Sequence, residues 1–144
     1  YLSVNPGEPL KPLGSVASGG EISRVMLAVK TVLADEEDTP TLIFDEIDTG
    51  ISGITAGKVG DRLRLIGKSR QVICITHLPQ IAATADHHFL IRKKAEGTSV
   101  RTDVEMLDEA ASVEELARLL GGANVTERVM ESAKELKELA KCER

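Results

Sequence analysis

Thr41-Leu42-Ile43-Phe44-Asp45-Glu46-Ile47-Asp48 is the stretch on which the fold turns. An apolar run stops at two adjacent carboxylates, and a third follows two residues later. Such a run between polar flanks suits a strand buried in a parallel sheet. Ligands of open α/β sheets bind beyond the carboxyl ends of the strands. Asp45 and Glu46 are thereby delivered to the edge where chemistry takes place. Alternation along a strand sends neighbouring side chains in different directions. One carboxylate is then free to hold Mg²⁺ while the other faces an attacking water, as in phosphoryl transfer. Acids after strands are common, so the pair taken alone leaves a plain solvated strand end equally open.

Working outward, Ser18-Gly19-Gly20-Glu21 precedes this strand. Ser18 reads as an N-cap, with Glu21 three residues on as its capping-box partner. Ile22, Val25, Met26, Val29, Val32 and Leu33 then recur at helical spacing, and the acidic stretch from Asp35 to Pro40 should end the helix. A helix N-terminus carries partial positive charge and unpaired N–H groups, and glycine lets a phosphate approach the backbone. Alone, this segment is better read as an ordinary capped helix.

Downstream, Thr49-Gly50-Ile51-Ser52-Gly53 reads as a loop. Ile54 to Ile66 is helical through Val59, Leu63 and Ile66. Gln71 to Thr76 is a second buried strand, rich in β-branched residues. Strand, helix and strand at this spacing form a βαβ unit, which makes the two strands parallel neighbours. His77 follows the second strand directly and falls on the same sheet edge as Asp45 and Glu46. There it is placed to bond a terminal phosphate or a catalytic water. A lone loop histidine without a role is the plain alternative, and the shared edge weighs against it.

The rest of the chain completes an α/β pattern. A short helix is predicted over Gln80 to Ala85. Phe89–Lys94 and Ser99–Leu107 flank Glu96-Gly97-Thr98 as a hairpin. Two closing helices follow. Ser112, with Glu115, is expected to cap the first, and Gly121-Gly122 to stop it. The second runs from about Val125 to Lys141, with an apolar stripe of Val129, Ala133, Leu136 and Leu139. Gly67-Lys68-Ser69 resembles the tail of a phosphate loop, but the first glycine of that motif would be Arg62, and the run leads from helix into strand. His77, His87, His88 and Cys74 lack zinc-ligand spacing. The charges of residues 128–144 have mixed signs and suit a solvated helix face.

The 144 residues suffice for one buried core, and with Tyr1, Phe44 and Phe89 as its only aromatics that core must be aliphatic. A net charge of -5 gives no basic footprint for nucleic acid. Cys74 and Cys142 make no disulfide framework, which fits a reduced, cytoplasmic setting. No apolar run is long enough to span a membrane and no signal peptide is visible, so no membrane partner is expected. The chain opens at Tyr1 and on the lead-in NPGEPLKPLG (residues 5–14), and is read as a piece of a longer protein whose missing part is N-terminal.

Taken together, Ala17-Ser18-Gly19-Gly20-Glu21, the strand ending Phe44-Asp45-Glu46-Ile47-Asp48, and Thr76-His77 resemble the C-terminal lobe of an ABC-type ATPase head. SGGE is similar to the signature motif, LIFDE to Walker B with its glutamate, Asp48–Gly53 to the D-loop and His77 to the switch histidine. The wording of NPGEPLKPL, ASGGEISR, LIFDEIDTGISG, ITHLPQIAA and ELARLLGG narrows the likeness to bacterial DNA-repair members of the SMC-like group, over about residues 5–122.

That resemblance implies a mostly parallel sheet flanked by helices, then a β-hairpin and two closing helices. It implies a lead-in over residues 1–17, the lobe proper over 18–122 and a C-terminal helix over 123–144. It also implies roles: Asp45 on Mg²⁺, Glu46 on the hydrolytic water and His77 on the γ-phosphate. Ser18, Gly19, Gly20 and Glu21 would meet ATP held by a second copy of the head, and Asp48 with its loop would cross that interface. The Walker A and Q-loop motifs are missing from this sequence and belong to an N-terminal lobe. The chain alone is therefore expected neither to grip ATP nor to hydrolyse it. DNA would be met through the intact, nucleoid-associated protein. A non-catalytic dimerisation module and the head of another ABC ATPase are the alternatives.

Overall fold

Ser18 starts the first helix as its sequence requires. In a computed structural model, which describes residues 1, 3, 7, 9–12, 14, 18–33, 39–97 and 99–142, helix α1 covers Gly19–Val32. The lead-in at 5–14, Ala17, the acidic stretch 35–38 and Thr98 fall wholly or partly outside the described residues. The Ser18 hydroxyl accepts the Glu21 N–H at 3.3 Å, and the Glu21 carboxylate takes the Ser18 N–H at 2.7 Å. Such a cap contributes about 1 kcal/mol. The predicted apolar stripe is not what α1 buries. Leu27 is its core residue, whereas Met26, Val29 and Val32 are exposed. Ile22, Val25 and Leu33 are half-buried, so the stripe is covered only in part, and the helical period alone could not tell which side faces inward.

The described residues divide into two compact units, Tyr1–Ile81 and Ala82–Arg144. In the first, strand β1 (Thr41–Phe44) pairs in parallel with β2 (Gln71–Cys74), from Thr41 opposite Gln71 to Phe44 opposite Cys74. Helix α2 (Gly53–Gly67) is the crossover between them. Leu42, Phe44, Ile47, Ala56, Val59, Leu63 and Ile66 make its aliphatic core with Leu27 and Ile81. Phe44 is the one aromatic ring in it. Val59, Leu63 and Ile66 are the three positions whose spacing predicts α2. Lys68 caps the carboxyl end of that helix and Ser69 N–H returns to Ile66 O, so Gly67-Lys68-Ser69 is a helix end.

Both strands are predicted to be buried, and the structure corrects this. One sheet face carries Leu42 and Phe44 into the core. The other carries Ile43, Ile73 and Ile75, which are 68%, 44% and 48% exposed. A continuous apolar run marks a strand destined to be covered on both faces. The elements of this unit cover one.

Helix α3 (Pro79–Ala82) is shorter than the predicted Gln80–Ala85 and falls at the sequence boundary between the units. The second unit opens with the antiparallel hairpin β3 (His88–Glu96) and β4 (Ser99–Leu107), in register from His88 opposite Leu107 to Glu96 opposite Ser99. Gly97, at φ +63°, makes its turn. Directly opposed residues share a face. One face therefore gathers Phe89, Met106, Ile91, Val104 and Val100, all exposed.

Helices α4 (Glu109–Gly121) and α5 (Glu127–Cys142) pack on each other through Leu116, Ala117 and Ala133. The predicted cap of α4 is wrong by four residues. Asp108 caps it, accepting the Ala111 N–H at 2.8 Å, because β4 ends at Leu107 and the chain turns at once. Ser112 is buried inside the helix, 2.9 Å from His88 Nδ1, and Glu115 pairs with Arg118 instead. On α5 the stripe also shifts. Leu139 is exposed, and Lys137 is buried with its ammonium donating to Ala83 O and Ala85 O at 3.3 Å each. A long side chain that buries its stem and finds carbonyls for its charge defeats simple polar-versus-apolar patterning.

Candidate active site

The site grows from the carboxyl edge of the parallel pair. Ile75 N–H donates to Phe44 O at 3.0 Å, so the chain leaves β1 and β2 side by side and sets Asp45 and Thr76 on one edge. β1 ends at Phe44, and strand alternation no longer governs the two acids beyond it. Glu46 instead adopts φ +57°, the left-handed region, and is the one non-glycine residue to do so among those described. That conformation costs roughly 1–3 kcal/mol and persists only where neighbours impose it. Here the Asp45 carboxylate accepts Glu46 N–H at 2.9 Å and Glu46 O accepts Thr49 N–H at 3.1 Å, closing a tight turn. Both acid side chains are left exposed.

Helix α1 meets this turn directly. A Cβ added to Gly20 would stand 2.8 Å from Glu46 O and 3.0 Å from Thr49 Cβ. One added to Gly19 would stand 2.8 Å from Glu46 Oε2. Gly20 is thus required by the approach of the helix N-terminus to the Glu46 backbone, whereas Gly19 faces only the flexible end of the Glu46 side chain. Ser23 and Arg24, one turn further along, donate to backbone carbonyls of the same turn: Ser23 to Asp45 O at 3.1 Å, Arg24 to Ile47 O and Thr49 O at 3.0 and 2.9 Å. Sequence reasoning passes over Arg24. Its one signal is that it is the lone basic residue between Ser18 and Val29, and its carbonyl partners exist only in the folded turn.

Asp48 lies beneath the edge, 4% exposed. Its Oδ2 accepts the Thr76 hydroxyl at 2.6 Å and the His77 N–H at 2.8 Å, and stands 3.0 Å from His77 Nδ1. Burial works against the charged form, but the bonds from Thr76 and His77 together with the imidazole outweigh it and hold the carboxyl below its ordinary range. Asp48 is therefore turned inward to brace His77. Thr49, Gly50 and Ser52 are the exposed part of its loop. The His77 side chain is 72% exposed, with its Nδ1 side on Asp48.

At the helix start, Ser18 N–H and hydroxyl are taken up by Glu21. These bonds, the backbone one first, pull the Glu21 carboxyl below its usual value. Cys74, near the edge, is the opposite case. Burial, then the charges of Asp48 and Asp45, push its thiol up to about 12.

The structure thus brings Asp45, Glu46, Asp48 and His77 together on one edge, with Gly19 and Gly20 against Glu46. No group of three or more His, Cys, Asp or Glu side chains among the described residues could hold a metal alone. Mg²⁺ commonly takes one or two carboxylates and fills its sphere with water and substrate phosphates. The exposed Asp45 carboxylate at this edge fits that role, with phosphate supplying the other oxygens. No helix of the described residues is long and apolar enough to cross a membrane.

No family model matches the chain. It is 52% identical over 140 residues to the DNA repair protein RecN of Halalkalibacterium halodurans, 97% of this chain and 25% of that protein. It is 50% identical over 135 residues to RecN of Vibrio cholerae, 94% of this chain and 24% of that protein. It is 45% identical over 135 residues to RecN of Bacillus subtilis, 94% of this chain and 23% of that protein. A solved chain from work on ATP-driven dimerization and DNA-stimulated activation of SMC ATPases overlaps with a TM-score of 0.48 at 21% identity, covering 78% of this chain and 68% of that one. The chain spans about a quarter of the length of the curated relatives it matches. At 45–52% identity over nearly all of its own length, the chain is similar to a quarter-length segment of the RecN DNA repair proteins.

Proposed function

We propose that this chain is the C-terminal lobe of an SMC-like, ABC-type ATPase head that hydrolyses ATP during DNA double-strand-break repair and recombination. The observation that carries the reading is the gathering of Asp45, Glu46 and a braced His77 on one sheet edge, with the capped N-terminus of α1 against Glu46. In this reading Glu46 orients the attacking water and takes up its proton. His77, held by Asp48, donates to the γ-phosphate. Asp45 holds Mg²⁺, which when bound would offset charge on the phosphate oxygens. Ser18, Gly19 and Gly20 at the start of α1 meet phosphate of ATP carried by a second head, the Ser18 hydroxyl exchanging its Glu21 partner for phosphate, and Asp48 with its loop crosses that interface. The phosphate cradle itself belongs to a Walker A lobe outside these 144 residues. The chain alone is then inactive, and DNA, a second copy of the head and the cytoplasmic, nucleoid setting enter through the intact protein.

The test is turnover by the full-length protein. Glu46→Gln is expected to abolish ATP hydrolysis while ATP-dependent head closure persists, and Ser18→Arg to block that closure by filling the phosphate site. Wild-type turnover in Glu46→Gln would remove Glu46 from the mechanism. Tight ATP binding by the isolated chain would overturn its dependence on the absent lobe.

A further inference from the structure

Glu46 holds a backbone conformation that its own side chain type disfavours, so something must impose it. The bonds inside the turn, Asp45 to Glu46 N–H and Thr49 N–H to Glu46 O, define its shape. Three further bonds come from α1. Ser23 holds the entry at Asp45 O, and one guanidinium nitrogen of Arg24 reaches Ile47 O and Thr49 O together. These carbonyls flank Glu46 on both sides in sequence. The same nitrogen lies 3.0 Å from where a Gly20 Cβ would be, so the missing side chain of Gly20 leaves the space it occupies.

We propose that Arg24 is a positioning residue for hydrolysis: it pins the two carbonyls after Glu46 to helix α1 and so fixes where the Glu46 carboxylate points. Arg24 suits the task because the guanidinium stays charged and offers several donors in a fixed plane. The consequence is that α1 and the Asp45–Thr49 turn move as one body. A displacement of the α1 N-terminus is carried to Glu46 without any change in β1. This inference rests on the reading of Glu46 as the group that orients water, and it adds a residue that touches neither nucleotide nor water.

The experiment compares Arg24→Met, Arg24→Lys and Glu46→Gln in the full-length protein, by steady-state ATP turnover and by the melting temperature. Met keeps the aliphatic stem and removes the donors. A misplaced catalytic group costs tenfold or more, so Arg24→Met is expected to lower kcat at least about tenfold while KM for ATP stays within about twofold. Lys, whose ammonium ends short of the guanidinium nitrogen, should fall between Met and wild type. A purely structural brace would lower the melting temperature and the active fraction without this graded order. If Glu46→Gln abolishes turnover and folded Arg24→Met keeps wild-type kcat, the role of Arg24 is overturned and that of Glu46 stands. If Glu46→Gln turns over normally, the reading of Glu46 itself fails. Should Arg24→Met not fold, Arg24→Lys decides: a lower kcat at unchanged KM supports the role, and no change, or a change in KM alone, overturns it.

Discussion

The buried carboxylate of Asp48 stands 3.0 Å from Nδ1 of the exposed His77 and also accepts the N–H of the same residue at 2.8 Å. One oxygen thus fixes both the backbone and the ring of His77, and the Thr76 hydroxyl completes the arrangement. The pair joins the turn after β1 to the turn after β2 with no contribution from the strands.

Asp48→Asn should cost about 1–3 kcal/mol at neutral pH, since it removes a buried charged acceptor from the Thr76 hydroxyl, the His77 N–H and the His77 ring. The folded carboxyl is held below its ordinary 3.8. Its contribution is therefore complete above that value and is lost as acid takes the pH down through the depressed one. Denaturant titrations of both proteins should show a gap that is widest at neutral pH and closes in strong acid.

Gly19→Ala and Gly20→Ala should separate function from folding. The Gly20 methyl meets backbone, Glu46 O at 2.8 Å, and forces the turn to shift. A loss of roughly 1–3 kcal/mol is expected in thermal or chemical unfolding. The Gly19 methyl meets the mobile end of Glu46 at 2.8 Å, which swings aside at little cost. Stability should hardly change there, whereas ATP turnover of the full-length protein should drop because the carboxylate has moved.

His88 gives the second unit its own pH response. Burial first, and then the Lys137 charge, lower its affinity for a proton, with Glu115 opposing, while Ser112 bonds its Nδ1. Neutral in the fold, it protonates more readily in the unfolded chain. Its contribution is present above its ordinary 6.5 and is lost as the pH falls below it. His88→Gln should flatten the stability curve over that mildly acidic range, read from unfolding midpoints.

Gly122 ends α4 at φ +61° and ψ -125°, with its N–H on Arg118 O. No atom lies within 4 Å of an added Cβ, so strain is the whole effect. Gly122→Ala should destabilise the chain by about 1–3 kcal/mol, measured by unfolding.

Much of this was written in local signals. Ser18 and Glu21 announce a cap that the structure builds atom for atom, and Val59, Leu63 and Ile66 all reach the core their spacing predicts. The acid pair and His77 were legible because strand, crossover and strand dictate a common edge. The errors share one cause, which is packing partners that pattern cannot name. Ser112 looks like a cap and is a buried partner of His88. Met26 and Val29 look like core and lie outside. The left-handed Glu46 and the grip of Arg24 on two carbonyls arise only once α1 crosses the turn, and no spacing in the sequence encodes them.

The raised thiol of Cys74 has a practical side. A thiolate is the species that reacts with alkylating reagents and peroxides. Held near 12 and half-buried, Cys74 stays a thiol at any working pH, whereas Cys142 is exposed at the end of α5. With two cysteines in the 144 residues, the wild-type chain comes with a single chemically addressable position. A maleimide dye should take at Cys142 alone, giving a reporter on the last helix without any engineered substitution.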